Sequence, residues 1–130
     1  MQVLLREMER AREEAANRDR ERLQGGWRFV AGQREASLIV SGDQYTMRFR
    51  NGDHYEGTFT LDPTCRPRAM DLTIEDGPDE HRSKPVVAIY QFDGDHLIWC
   101  PAPPGESRRP EAFPTTDNSQ ALCLIFRRAS

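Results

Sequence analysis

The alternation of apolar and polar residues from position 27 onward is the feature that most constrains the fold of this chain. Segments such as 45–49 and 70–74 carry an apolar side chain at every second position. That period is typical of antiparallel strands with one buried face and one solvated face. Turn-forming pairs separate the segments, and Asn51-Gly52 and Asp93-Gly94 indicate hairpins of type I′.

The number of such segments predicts the architecture. Strands are expected near residues 26–31, 36–41, 44–50, 54–61, 69–75, 85–92, 96–100 and 120–127. Eight short strands joined by turns predict an all-β fold, an eight-stranded antiparallel up-and-down barrel, because closure leaves no open edge. We therefore expect a barrel domain at 25–130, preceded by an N-terminal helix within 1–24.

The helix is predicted over residues 3–23, where strong helix formers occur without Gly or Pro. Its apolar residues lie near its start, and alanines and arginines follow. We expect the first two turns to make the important contacts, with the barrel wall or with a second copy in a homodimer, and 17–22 to be mostly solvated. The sixth and eighth strands are apolar on both faces, so their outer faces need a cover, and the helix is the obvious one.

Composition and charge exclude several functional classes. The formal net charge of −3 argues against a nucleic-acid binder. No apolar run approaches the ~20 residues that span a bilayer, and the charged start is unlike a signal peptide, so we expect a cytoplasmic protein. Three cysteines without a CxxC pair favour free thiols in a reducing compartment. Cys100 and Cys123 could form a bridge only if the strand register placed them directly opposite each other.

Catalytic and metal sites are not indicated. His96 and Cys100 share one side of a strand but lie roughly 13 Å apart along it, too far to bind one ion. Carboxylates such as Asp93 and Asp95 occur in turns, where aspartate bonds the local backbone. No nucleophile beside a base can be recognised in the sequence. We therefore predict a protein that is not an enzyme and has no metal or cofactor.

Aromatic residues on the buried faces are the candidate ligand-binding lining of the barrel: Tyr45, Phe49, Tyr55, Phe59, Tyr90 and Trp99. An eight-stranded barrel is just wide enough to be filled by side chains or to hold one small ligand. Two interpretations remain open. In one, the barrel binds a small apolar molecule; in the other, its interior is filled, and the chain is a structural or protein-interaction domain acting through the helix and the proline-rich loop 101–110.

Gly25-Gly26-Trp27 at the first strand and Arg127 on the last strand resemble the lipocalin signature. In that superfamily the tryptophan closes one end of the barrel, and an arginine from the final strand packs across its indole. The resemblance implies this barrel-closing role for Trp27 and Arg127. A guanidinium over an indole gains a cation–π contact while its tip stays in water.

A longer series of motifs extends over residues 22–128. It comprises Leu23-Gln24-Gly25-x-Trp27, Gly42-Asp43-x-Tyr45-Thr46, Gly57-Thr58-Phe59-x-Leu61-Asp62-Pro63-Thr64, Pro67, Asp71-Leu72-Thr73, Gly77-Pro78, Ile89-Tyr90, Gly94-Asp95-x-Leu97, Cys100-x-Ala102-Pro103-Pro104-Gly105, Arg109-Pro110 and Phe113. The series resembles an uncharacterised lipocalin-like domain family of planctomycete bacteria. The resemblance implies a calycin-type barrel and a bacterial origin, and it implies no catalytic residue. In that family a longer connection lies over the barrel mouth than residues 31–36 provide here.

Overall fold

The computed structural model describes residues 2–113 and 122–129. Its elements are α1 (Gln2–Leu23), β1 (Gly25–Gly32), β2 (Ala36–Ser41), β3 (Gln44–Phe49), β4 (His54–Asp62), β5 (Arg68–Asp76), β6 (Pro85–Asp93), β7 (His96–Pro101) and β8 (Leu124–Arg128). Each strand pairs antiparallel with the next, and β8 pairs with β1, so the sheet closes into a barrel. The predicted eight-stranded up-and-down barrel with an N-terminal helix is confirmed.

The strand boundaries follow the sequence pattern closely. The first seven strands agree with the prediction to within one residue at each end. The last strand was expected at 120–127; the structure has it at Leu124–Arg128, and positions 120–121 lie outside the described residues. Period-two alternation is therefore a local signal strong enough to define these strands.

The hairpins occur at the predicted places, but the predicted turn type is wrong. Asp93 pairs with His96, so Gly94 and Asp95 form a two-residue turn. Gly94 has a φ of +60°, whereas no non-glycine residue of this turn has positive φ. A glycine at the first central position is the requirement of a type II′ turn, and only type I′ needs positive φ at both positions.

The core consists of side chains that alternate inward along every strand. Cross-strand neighbours on this face are apolar on both sides, as in the pairs Leu38–Met47, Phe59–Leu72 and Leu97–Phe126. Such directly opposed apolar pairs are the unit of sheet stabilisation, and they fix the register because a slip of one residue would turn the whole set outward.

The outer face of β6 is covered by the segment that follows β7, which corrects the expectation that the helix covers it. Arg109 donates hydrogen bonds to the backbone carbonyls of Met70 and Ala88 and forms an ion pair with Asp71. Because Asp71 points away from the core, this segment crosses the outside of β5 and β6. The helix packs against β4 instead.

The start of α1 leaves its apolar side chains exposed. Val3, Leu4, Leu5 and Met8 remain 54–69% exposed. The prediction that the first two turns pack on the barrel wall is therefore wrong, whereas contact with a second copy stays a prediction. Over the described residues, no helix is long and apolar enough to cross a bilayer.

The C-terminal half of α1 is the part that is anchored, through a buried carboxylate. Residues 17–22 are mostly solvated, as predicted, but Asp19 is an exception and is only 8% exposed. Its carboxylate accepts hydrogen bonds from Arg68 at 3.0 and 3.1 Å and from the Tyr90 hydroxyl at 2.6 Å. Burial, and then the hydrogen bond to Asp19, raise the pKa of Tyr90. The paired carboxylate of Asp19 and the buried side chain of Leu23, which is 1% exposed, together hold this helix on the barrel.

Trp27 closes the end of the barrel beneath the helix. Its ring is 3% exposed, and its Nε1 donates to the carbonyl oxygen of Leu23 at 2.8 Å. The guanidinium carbon of Arg128 lies 4.5 Å from the ring centroid. Arg128 also donates to the carbonyls of Arg22 and Gln24, which lie at the end of α1 and would otherwise lack helical partners.

The arginine over the indole is Arg128, so the assignment of Arg127 to barrel closure is wrong. Arg127 points to the outside of β8, where its Nε lies 3.1 Å from Asp95. The reason is the alternation of the strand: Leu124 and Phe126 are fully buried, so the next inward position is 128. The barrel-closing role of Trp27 itself agrees with its position.

Candidate functional site

The opposite end of the barrel contains an open cavity of about 590 Å³. The strand interiors supply an apolar lining of Met47, Phe49, Leu72, Ile74, Val86 and Trp99. Leu72 and Val86 are direct partners in the β5–β6 ladder. These side chains are buried and attached to regular strands, so the lining is preformed by the fold.

The half of the barrel beneath the cavity is filled by side chains. The space left there is about 20 Å³, close to the size of a single water probe. Phe59 lines this small void and not the open cavity. Tyr90 lines neither space, because its hydroxyl is directed to Asp19 at the helix end of the barrel.

The structure brings four of the six predicted lining residues together at the cavity: Tyr45, Phe49, Tyr55 and Trp99. Phe49 and Tyr55 meet edge to face, with ring centroids 5.7 Å apart. Trp99 borders both the cavity and the void beneath it, so it forms part of the cavity floor. Its indole N–H is buried and has no hydrogen-bond partner among the described residues.

Polar groups gather at the rim of the cavity. The guanidinium of Arg34, in the short β1–β2 connection, lies 4.0 Å from the Phe49 ring centroid and 3.3 Å from the Asp53 carboxylate. Tyr55 and His81 stack with centroids 5.9 Å apart, and the Tyr55 hydroxyl lies 2.8 Å from His81 Nδ1. The rim therefore presents a cation, a phenol and an imidazole above an apolar interior.

The proline-rich segment forms another part of the wall. Residues 101–104 and 108–111 border the cavity, and Arg109 attaches the segment to β5 and β6. Gly105 N–H donates to the carbonyl of Pro85 at 2.9 Å, which keeps the chain close to the start of β6. Proline restricts backbone freedom, so this wall is stiffer than its lack of strand structure suggests.

The two phenols of the cavity are held in their neutral form. Tyr45 donates its hydroxyl to the carbonyl of Thr73 at 3.0 Å, and burial followed by the charge of Glu75 raises its pKa. Burial and then the charge of Asp53 raise the pKa of Tyr55, although Arg34 opposes this. Neither hydroxyl is thereby prepared to remove a proton near neutral pH.

Several lining residues were missed by sequence reasoning. Met47, Leu72, Ile74 and Val86 lie on the predicted buried faces, but aromatic residues alone had been selected as the lining. The alternation that predicted the strands already marks these positions. Arg34 carries no comparable signal, because its place at the rim follows from the closure of the barrel and not from its neighbours in sequence.

Metal-binding geometry is not found in the described part of the chain, where no group of three His, Cys, Asp or Glu side chains could hold an ion. His54 pairs with Glu56, and His96 with Asp95, each at 3.0 Å. No protein-family model, no curated protein and no solved structure matches the chain. The comparisons therefore give no information about the function of this cavity.

Proposed function

We propose that this protein is a non-enzymatic binding module that holds a small apolar molecule in the open half of its barrel. The observation that carries the proposal is the cavity of about 590 Å³ with its apolar strand lining. Small-molecule sites typically measure about 300–1,000 Å³ and combine an apolar lining with a few polar groups. Both features are present here.

The residues of the cavity suggest the chemistry of the ligand. Phe49, Tyr55 and Trp99 offer ring faces and edges, which favour a molecule with an aromatic or flat aliphatic body. A polar end of that molecule would lie at the rim, near Arg34 and His81. A carbonyl or ether oxygen reaching the floor would satisfy the unpaired indole N–H of Trp99 after a small shift of the ring.

Passive binding is favoured over catalysis by the state of the polar groups. The Tyr45 hydroxyl is bonded to a backbone carbonyl, and the Tyr55 hydroxyl is bonded to His81. Hydroxyl groups that are already paired in this way hold the cavity wall in place and are not free to act on a ligand. Membership of the lipocalin-like planctomycete family and a cytoplasmic location belong to the same proposal, and both rest on the sequence alone.

Filling the cavity is expected to abolish binding. Val86→Trp places a large ring in the open half, because Val86 is buried and lines the cavity. The affinity for the uncharged fluorophore N-phenylnaphthylamine should fall at least about tenfold, equivalent to ~1.4 kcal/mol. Fluorescence titration measures this, and native mass spectrometry of protein from its own host should show a small adduct that the variant lacks.

The control for this prediction is Ile39→Trp, which adds the same ring on the outer surface, where Ile39 is 55% exposed. It should bind the fluorophore as the unmodified protein does. Circular dichroism establishes that both variants are folded. Equal fluorophore affinity in a folded Val86→Trp variant would contradict the proposal.

A second function, protein interaction through α1, is favoured by one specific observation. The apolar residues in the first two turns of the helix are largely exposed to solvent. Each leucine gains roughly 1.5–3 kcal/mol when fully buried, so these turns are suited to pack against another chain. A second copy of this helix is the simplest partner.

Leu4→Asp combined with Leu5→Asp is expected to convert a dimer into a monomer without changing barrel stability, since neither side chain is buried in the described structure. Light scattering gives the mass, and urea denaturation gives the stability. Arg6→Ser with Arg10→Ser is the matched control, because it changes the net charge equally and keeps the leucines. A monomeric mass for the unmodified chain would exclude the homodimer.

A further inference from the structure

Two cysteines lie opposite each other where β7 and β8 meet. The ladder between β7 and β8 ends with the pair Trp99–Leu124. Cys100 follows Trp99 in the chain, and Cys123 precedes Leu124. Paired residues of antiparallel strands have Cα atoms about 4.5–5.5 Å apart, within the ~4.4–6.8 Å that a disulfide needs. Continued by one residue, this register places the two cysteines opposite each other, which is the condition that the sequence left open.

Both side chains lie on the same face of the sheet. Trp99 and Leu124 point inward, so their neighbours Cys100 and Cys123 point outward. Cys100 is only 1% exposed, whereas Cys123 is half-buried and can be reached from solvent.

A hydrogen bond between the two thiols is the main cause of their opposite pKa shifts. A thiol proton donated by Cys100 lowers the pKa of Cys123, and the same bond, followed by burial, raises the pKa of Cys100. A half-exposed thiol with a lowered pKa beside a second thiol is the usual arrangement of oxidisable cysteine pairs. Cys65 differs from Cys123. The residue is exposed, yet partial burial of its thiol, followed by a hydrogen bond to Asp62, raises the pKa of that thiol.

The pair also lies at the border of the cavity. Pro101 and Ala102 follow Cys100 directly and line the cavity, and so does Leu122, which precedes Cys123. The backbone N–H of Cys123 donates to Gln33 at 2.8 Å, next to Arg34 of the rim. A bond between the two sulfurs would therefore join two parts of the cavity wall.

We propose that Cys100 and Cys123 form a peroxide-oxidisable dithiol whose disulfide fixes the wall of the cavity mouth. The Cys123 thiolate attacks hydrogen peroxide; an S–O bond forms, the O–O bond breaks, and the departing hydroxide becomes water on taking a proton. The Cys100 sulfur then attacks the Cys123 sulfur, the S–S bond forms, and the S–O bond breaks. Hydroxide leaves and takes the Cys100 proton, so two thiols are oxidised by two electrons while one peroxide yields two waters.

Treatment of the full reduced chain with one equivalent of hydrogen peroxide tests this chemistry. The intact mass should fall by two hydrogen atoms, and peptide mapping should find Cys100 linked to Cys123, with only Cys65 alkylated after unfolding. Cys65→Ser should form the same bond. In Cys100→Ser, dimedone should capture a sulfenic acid on Cys123. Alkylation of all three cysteines after treatment of the unmodified chain, or oxidation of Cys65 alone, would overturn the proposal.

The effect on the cavity mouth rests on the proposed ligand-binding function and has its own measurement. A disulfide links the two segments that border the cavity beside Cys100 and Cys123. It should slow dissociation of N-phenylnaphthylamine from the oxidised protein roughly threefold or more, because a stiffer wall opens less often. Peroxide-treated Cys100→Ser should show no change. Unchanged dissociation in a protein with a verified disulfide would refute the effect on the mouth. Absence of fluorophore binding in both redox states would refute ligand binding and leave the disulfide intact.

Discussion

Trp27→Ala is expected to lower the free energy of unfolding by about 3–5 kcal/mol, the range found when a large aromatic side chain is removed from a core. The ring is almost fully buried, and its Nε1 bonds the last carbonyl of α1. Truncation would open a hole at the closed end and leave the Leu23 carbonyl without its donor. Urea denaturation followed by tryptophan fluorescence of Trp99 measures the change.

Two arginine variants give this prediction its controls. Arg128→Ala should cost about 0.5–2 kcal/mol, since it removes a cation over the indole and the donors to Arg22 and Gln24. Arg127→Ala should cost under ~1 kcal/mol, because Arg127 makes an exposed ion pair with Asp95. A loss below ~1 kcal/mol for Trp27→Ala, or a larger loss for Arg127 than for Arg128, would mean that the barrel closes differently.

Asp19→Ala is expected to destabilise the protein by about 2–3 kcal/mol and to release α1 from the barrel. The change removes the acceptor of Arg68 and of Tyr90, and the Tyr90 hydroxyl is then buried without a partner. An unpaired buried donor costs about 1–3 kcal/mol. Arg68 is partly exposed and can turn to solvent, so its contribution is smaller.

A double-mutant cycle separates these contributions. Tyr90→Phe in the Asp19→Ala background should recover part of the lost stability, because no polar group is then left unsatisfied. Glu14→Ala, on the exposed part of the same helix, is the control and should change the stability by less than ~0.5 kcal/mol. Equal effects of Asp19→Ala and Glu14→Ala would show that the helix is held by other contacts.

The position and type of nearly every strand could be predicted from local sequence. Alternation over 45–49 and 70–74 decides which face of a strand is buried, and that decision needs only neighbouring residues. The same alternation would also have selected Arg128 over Arg127, had it been applied to the last strand as strictly as to the others. A family signature, by contrast, does not indicate which side of the strand each of its residues occupies.

The helix shows where local reasoning fails. Its apolar residues are concentrated at the start, which suggested that this end packs, yet the barrel binds the other end through Asp19. Arg68 and Tyr90 are far from Asp19 in sequence, so nothing near the helix signals that a carboxylate there will be paired. A buried charge is tolerated only where partners converge, and only the closed sheet brings these partners together.

Local sequence is sufficient to place the strands, the turns between them and the inward-facing residues, because these depend on a period that extends over a few residues. The tertiary structure decided which half of the barrel is filled and which is open, since Tyr45, Phe49, Tyr55 and Trp99 meet at one end only after closure. The same closure pairs Trp99 with Leu124 and so brings the adjacent Cys100 and Cys123 to the same end of the β7–β8 ladder. Register between strands distant in sequence depends on how the whole sheet closes, and no local pattern contains that information.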